Sequence, residues 1–122
     1  MLGTVPHGEL PALYTASDVV VCPSYAESFG HPMVEAMACA RPIVASDRAT
    51  QREMCGNAAV YFPTFDGATL AQRLQMVLDD AALAARLGEA GRRRAADFTW
   101  ERHFRELLVV LEGVRQSRRA AA

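Results

Sequence analysis

Asp18-Val19-Val20-Val21-Cys22-Pro23-Ser24-Tyr25-Ala26-Glu27-Ser28-Phe29-Gly30-His31-Pro32-Met33-Val34-Glu35-Ala36-Met37-Ala38-Cys39 reads as a strand, a loop and a helix in turn. Val19 to Cys22 is continuously apolar, the pattern of a strand buried on both faces. Pro23 to Gly30 is a polar loop. The helix starts near His31-Pro32, because a proline in the first turn forfeits no intrahelical hydrogen bond. It ends near Ala40-Arg41-Pro42, where proline cannot continue it. Met33 and Met37, four apart, belong to its core face.

Outward from this unit, strands and helices alternate. Gly3-Thr4-Val5 reads as the end of a strand, with a short helix from Glu9 to Ala16 after it. Downstream come a strand at Ile43–Ala45, a turn at Ser46-Asp47, a short helix at Thr50–Met54 and a strand at Ala58–Phe62. Leu70, Ala71, Leu74, Val77 and Leu78 then show helical spacing across 67–78. An Ala- and Arg-rich helix follows from Ala81 to Ala96. Thr99 is placed to cap a last helix from Trp100 to about Val114. Its seam of Phe104, Leu107, Leu108 and Leu111 should pack on the domain with Trp100 as a core anchor, and Arg118 to Ala122 should fray. The alternation predicts an α/β fold, a Rossmann-like parallel sheet flanked by helices. Its extent is one partial domain over 1–122, with an α/β core over 3–98 and a C-terminal helix over 99–116. Three or four strands are few for at least five helices, so a preceding βαβ unit is expected.

Composition narrows the function classes. The 122 residues are 51% hydrophobic and 22% charged, as in an ordinary folded domain. The apolar run Val19–Pro23 is far too short to span a membrane. The net charge is −1, and all 13 basic residues are Arg. That balance argues against binding nucleic acid by phosphate neutralisation. Ten of the Arg fall after residue 61, where they are expected to coat solvated helical faces. Cys22, Cys39 and Cys55, an odd number without CxxC spacing, point to structural, reduced thiols in a cytoplasmic protein. No His/Cys/Asp grouping has metal-ligand spacing, so no metal is expected.

Chemistry concentrates at the loop and the helix tip. Gly30 lets backbone approach a ligand, and the amides that follow point out of a helix N-terminus, a natural anion site. Glu27 stands to one side of it. Glu35 lies about 7 Å further along the helix axis. Carboxylates accept hydrogen bonds from sugar hydroxyls, so this order suits a diphosphate with a sugar at each end. Two glutamates eight apart are common by chance, and only the context makes this pair informative. Ser24 and Ser28 lack the Gly-x-Ser-x-Gly elbow of a nucleophilic serine. His31 is better placed to offer its backbone N–H than to act as an acid or base, and His7 and His103 read as surface residues.

Over nearly its whole length the chain resembles the C-terminal donor-binding domain of retaining glycosyltransferases of family 4, which have the two-domain GT-B fold. The resemblance is carried by Gly3-Thr4-Val5-Pro6, Leu10-Pro11-Ala12-Leu13-Tyr14 and Ala16-Ser17-Asp18. It continues through Glu27-x7-Glu35 with Glu35-Ala-Met-Ala-Cys39, Pro42-Ile-Val-Ala-Ser-Asp47 and Phe98-Thr99-Trp100. It implies hexosyl transfer from a nucleotide-diphosphate sugar, with no cofactor and no metal. By this resemblance Glu27 is the catalytic-site carboxylate facing the transferred sugar, and Glu35 holds the ribose. The backbone of Ser28, Phe29, Gly30 and His31 lines the sugar and diphosphate, and Val5 meets the nucleobase. Trp100 lies where the family's chain runs back towards its other domain. At residue 40 the family favours Gly, and this chain has Ala.

The family's diphosphate-gripping basic residues and its acceptor domain precede the matched region, so the chain alone is expected to be inactive. Its partners would be the nucleotide sugar and either the N-terminal acceptor domain or a second copy across exposed surface. The location implied is cytoplasmic, or peripheral at the inner membrane through a full-length enzyme. Two alternatives stay open: a non-catalytic binding or assembly module derived from such an enzyme, and part of a sugar-nucleotide epimerase.

Overall fold

The computed structural model describes residues 3–120. Its helices are α1 (Leu10–Ala16), α2 (His31–Ala38), α3 (Ala49–Cys55), α4 (Gly67–Asp79), α5 (Ala81–Ala95) and α6 (Trp100–Ala120). The strands are β1 (Val20–Cys22), β2 (Ile43–Ser46) and β3 (Ala59–Phe62), with 3-10 turns at His7–Glu9 and Gly56–Ala58. The strands form one parallel sheet in the order β1-β2-β3. Val20, Val21 and Cys22 lie opposite Ile43, Val44 and Ala45. Ile43 to Ser46 in turn face Ala59 to Phe62. This is the expected α/β architecture of a parallel sheet flanked by helices.

Alternation along β2 divides the core between the two faces of the sheet. Ile43 and Ala45 join Cys22, Met33, Ala36, Met37, Met54 and Cys55 on one face. Val44 meets Phe62, Val77 and Leu87 on the other. Met33, Ala36 and Met37 follow the i, i+3, i+4 spacing of a buried stripe, so both methionines pack in the core as their spacing predicts. Asp66 caps α4 through Thr69 N, and Asp80 caps α5 through Leu83 N. Asp80 thereby turns the break after α4 into a helix start. Thr99 caps α6, its Oγ1 accepting from Arg102 N at 3.2 Å.

Several expectations are corrected. Complete burial belongs to β2, whose four residues are all buried, and not to β1, where Val21 is 37% exposed; β1 is an edge strand. Gly3–Val5 forms no strand, because β1 pairs only with β2 among the described residues and Gly3 has φ +68°. The seam of α6 does not pack on the domain, and Trp100, 82% exposed, is no core anchor. After the turn at Ala96-Asp97, α6 leaves the body, so Phe104, Leu107, Leu108 and Leu111 stay exposed. Finally, α6 continues past Val114 to Ala120; the last two residues of the tail expected to fray, 121–122, lie outside the described residues. Arg94 also departs from a solvated Arg face: it donates to the Glu53 and Met54 carbonyls at the end of α3 and pairs with Asp97.

Contact between α2 and α5 fixes the helix that carries the candidate site. A Cβ on Gly88 would sit 2.3 Å from the Ala40 carbonyl oxygen, and one on Gly91 3.2 Å from Met37 Cγ. Ala40 itself has φ +53°, a left-handed conformation that costs a side-chain-bearing residue about 1 kcal/mol. Ala40→Gly is therefore expected to stabilise the fold by roughly 0.5–1 kcal/mol after the entropy of glycine is counted. Gly88→Ala, which overpacks against backbone, should destabilise it by about 1–3 kcal/mol. Urea denaturation followed by circular dichroism measures both, and opposite signs are the expected result.

Candidate functional site

Beyond β1 the chain passes through the loop 23–30, whose start is pinned at one atom. The Ser24 carbonyl accepts from Ser46 Oγ at 2.6 Å and from Gln51 Nε2 at 2.9 Å. The loop ends at Gly30, with φ +83°. A Cβ there would lie 2.2 Å from Met33 Cε, so residue 30 needs both the left-handed backbone and the missing side chain. Met33 N–H donates to the Gly30 carbonyl at 3.0 Å, closing the first turn of α2. No side chain caps that helix end, and Pro32 stands in the first turn. The His31 N–H thus has no hydrogen-bond partner among the described residues, at the positive end of the helix dipole.

The candidate site residues fall into three neighbouring places. Glu27 is exposed and lines a cavity of about 160 Å³ with Ser24, Gly30, Met33 and Gln51. Its carbonyl accepts from Thr50 Oγ1 at 3.5 Å. Phe29 and His31 line a second, larger hollow of about 560 Å³ beneath the start of α6. Their rings pack 4.9 Å apart, and Phe29 meets Phe98 edge-on at 5.8 Å. Glu35 is half-buried one turn into α2, where its Oε2 accepts from Tyr14 Oη at 2.9 Å. Ser28 is exposed, and Val5 is half-buried in the coil before α1. Glu27 and Gly30 therefore share a cavity, while Glu35 and Val5 line neither hollow.

Several groups near the site escaped sequence reading. Tyr14 orients Glu35 from α1; burial, and then its hydrogen bond to that carboxylate, push the phenol well above its usual range. Gln51, only 1% exposed, aims an Oε1 with no protein partner among the described residues, beside the smaller cavity. Tyr25 and Phe65 stack at 5.4 Å, with the Arg48 guanidinium 4.9 Å from the Tyr25 ring. These three follow β1, β3 and β2 respectively, so the sheet's carboxyl edge brings them together. Phe65 is 86% exposed at φ +69°. No local pattern marks them, because each contact joins residues distant in sequence.

The family described as "Glycosyl transferases group 1" matches residues 1–94. The chain belongs to the group 1 glycosyl transferases. Over 107 residues the chain is 40% identical to a D-inositol 3-phosphate glycosyltransferase of Salinispora arenicola, a match covering 84% of the chain and 23% of that relative. It superposes on sucrose-phosphate synthase from Thermosynechococcus elongatus with a TM-score of 0.78 at 33% identity, covering 99% of this chain and 30% of that one. The C-terminal domain of a group 1 family glycosyl transferase from Francisella tularensis gives 0.70 at 26% identity, over 78% of this chain and 50% of that one. The fold is thus similar to the C-terminal domains of GT-B glycosyltransferases. The chain spans about a quarter of the length of the relative it matches in Salinispora.

The thiols and Tyr14 give two tests of this geometry. Burial raises the Cys22 thiol to about 11 and the Cys55 thiol to about 12, leaving about a thousandth or less as thiolate at pH 8. Cys39 is half-exposed. Iodoacetamide at pH 8 should label one thiol per native chain, at Cys39, and three after unfolding, as read by mass spectrometry. Tyr14→Phe removes the one side-chain donor to Glu35 seen here and should cost about 1 kcal/mol of stability, measured by urea denaturation.

Proposed function

We propose that this chain is the nucleotide-sugar-binding portion of a retaining glycosyltransferase of family 4, taking a hexosyl group from a nucleotide-diphosphate sugar. The observation that carries the reading is the uncapped α2 N-terminus behind Gly30, with Glu27 lining the cavity at its tip and Glu35 on the same helix. In this reading the tip of α2 and the backbone of Ser28 to His31 receive the diphosphate. Glu27 meets the transferred sugar, Glu35 accepts from the ribose hydroxyls, and Val5 offers its backbone to the base. As the C–O bond to the diphosphate breaks, negative charge grows on the leaving oxygen. A helix dipole and fixed N–H groups stabilise that charge without reorganising.

The hydrogen bond from Tyr14 supports the role given to Glu35, since it engages one carboxylate oxygen and leaves the other as an acceptor. The short span relative to the Salinispora relative supports an isolated chain that binds donor weakly and turns none over. No described helix is long and apolar enough to cross a membrane. We place the chain in the cytoplasm on its three free cysteines. No cofactor or metal enters the reading.

Uridine, guanosine and adenosine diphosphate sugars, each beside its bare nucleoside diphosphate, can be titrated into the chain to millimolar concentration. Thermal melting and amide chemical shifts are the readouts. One base is expected to raise the melting temperature and shift the amides of Ser28, Phe29, Gly30, His31 and Met33. Glu35→Ala should weaken nucleotide sugar and bare nucleotide alike, at least tenfold. Glu27→Ala should weaken only the sugar-bearing ligand. Shifts confined to other parts of the chain, or both variants binding as the parent does, contradict the assignment.

A further inference from the structure

The carboxyl edge of the sheet carries an aromatic shelf that the fold does not cover. Its members are Tyr25 after β1, Arg48 after β2 and Phe65 after β3. Phe65 stands third in the turn from Pro63 to Asp66, closed by the Asp66 N–H on the Pro63 carbonyl at 3.0 Å. Its φ of +69° is the left-handed conformation for which that turn position favours glycine. Burial does not offset the strain, since the ring is almost wholly exposed and meets only Tyr25, itself 57% exposed, among the aromatic residues described. Strain kept at an exposed ring points to function and not to folding.

The charge on this shelf is positive. Arg48 stacks on the Tyr25 ring and makes no ion pair among the described residues. Stacking engages the face of a guanidinium and leaves the N–H donors at its edge. Both neighbouring acids are turned elsewhere: Asp47 is held by Arg52, and Asp66 accepts from Thr69.

We propose that the shelf binds a sugar ring bearing an anionic group, a phosphate or a carboxylate. The apolar C–H face of the ring lies on the aromatic surface, and the anion takes the fork of Arg48. Parallel sheets of this kind bind ligands beyond the carboxyl ends of their strands. Tyr25 is two residues from Glu27, and Thr50, two beyond Arg48, donates to the Glu27 carbonyl. The shelf thus extends from Glu27 towards β2 and β3, whereas Glu35 turns to Tyr14 on α1. In the function proposed above, that position lies past the transferred sugar and is a subsite for the acceptor. The acceptor role rests on that reading; binding at the shelf does not.

Chemical-shift titration of the whole chain, without nucleotide, tests it. Glucose 6-phosphate and glucuronate, taken to about 50 mM, should shift the amides of Tyr25, Arg48 and Phe65, and the tighter of the two identifies the anion. Glucose and inorganic phosphate should each bind about fivefold more weakly, or worse. Phe65→Gly should weaken both sugar acids by a similar factor while keeping or raising the melting temperature, because glycine suits the left-handed turn. Arg48→Gln should lower the acids to the affinity of glucose. No shift at the three residues overturns the proposal, as does a Phe65→Gly variant that binds like the parent. Inorganic phosphate binding as tightly as the sugar acids means an adventitious ion only, and overturns it too. Nucleotide titrations read at Ser28 to His31 and Met33 succeed or fail separately, so a failure of the donor reading is told apart from a failure of the shelf.

Discussion

Close approach between α5 and α2 governs the rest of this molecule. Gly88 and Gly91, three apart on one helix face, let α5 lie against the Ala40 carbonyl and the Met37 side chain. Helix α2 is thereby clamped between α5 and the sheet, with Met33, Ala36 and Met37 all but sealed from solvent. A helix held along its buried face cannot slide or rotate by a residue without driving a methionine into water, at about 1.5–3 kcal/mol for each side chain exposed. The position of its N-terminus follows. So does the placement of Gly30, whose left-handed turn joins the loop to the helix.

The loop itself is held by polar contacts at its base. Ser46 at the end of β2 and Gln51 in α3 both donate to the Ser24 carbonyl, so the start of the loop is tied to both of those elements. Buried hydrogen bonds of this kind are costly to leave unmade, and that asymmetry makes them effective at fixing geometry. From Ser24 to Gly30 the chain is thus anchored at both ends, and Glu27 sits between the anchors. Phe29 leans on His31 and Phe98, tying the last part of the loop to the turn before α6.

Legibility from sequence followed the range of the interactions involved. The β1–loop–α2 unit was readable because apolar runs, a glycine and two prolines act through their immediate neighbours. The stripe of Met33 and Met37 was readable for the same reason. Burial of a strand was not, since a run of four apolar residues looks alike in an edge strand and a central one; only pairing on both sides makes β2 central. Gly3–Val5 shows the converse, because extended sequence becomes a strand only beside another. The periodicity of α6 located its apolar face without saying what covers it. Tyr14 and Gln51 act on Glu35 and Ser24 across 21 and 27 residues, where no spacing rule reaches. Ala40 was legible in part: its identity stood out, and φ +53° supplies the physical reason that glycine suits the position.

Electrostatics at the helix tip differ from what a count of arginines suggests. The three Arg of the first 61 residues are all engaged. Arg41 donates to the carbonyls of Cys39, Thr15 and Ser17, Arg52 grips Asp47, and Arg48 lies over the Tyr25 ring. Six acids share that half of the chain, two of them the glutamates of the candidate site. An anion arriving at α2 would therefore meet peptide N–H groups and a helix dipole in a net-negative neighbourhood. Such donors are fixed by the backbone and cannot be neutralised by pH, but each is worth about 0.3–1 kcal/mol near an exposed helix end. Strong retention of a diphosphate then requires mobile cations or basic groups from outside residues 1–61. The remaining Arg of the chain sit on α4, α5 and α6, where Arg92, Arg93, Arg94 and Arg102 already have acidic partners. Under the proposed function, what this chain brings to a diphosphate is direction more than charge: a rigid turn, an open helix end, and two carboxylates to accept the hydroxyls on either side.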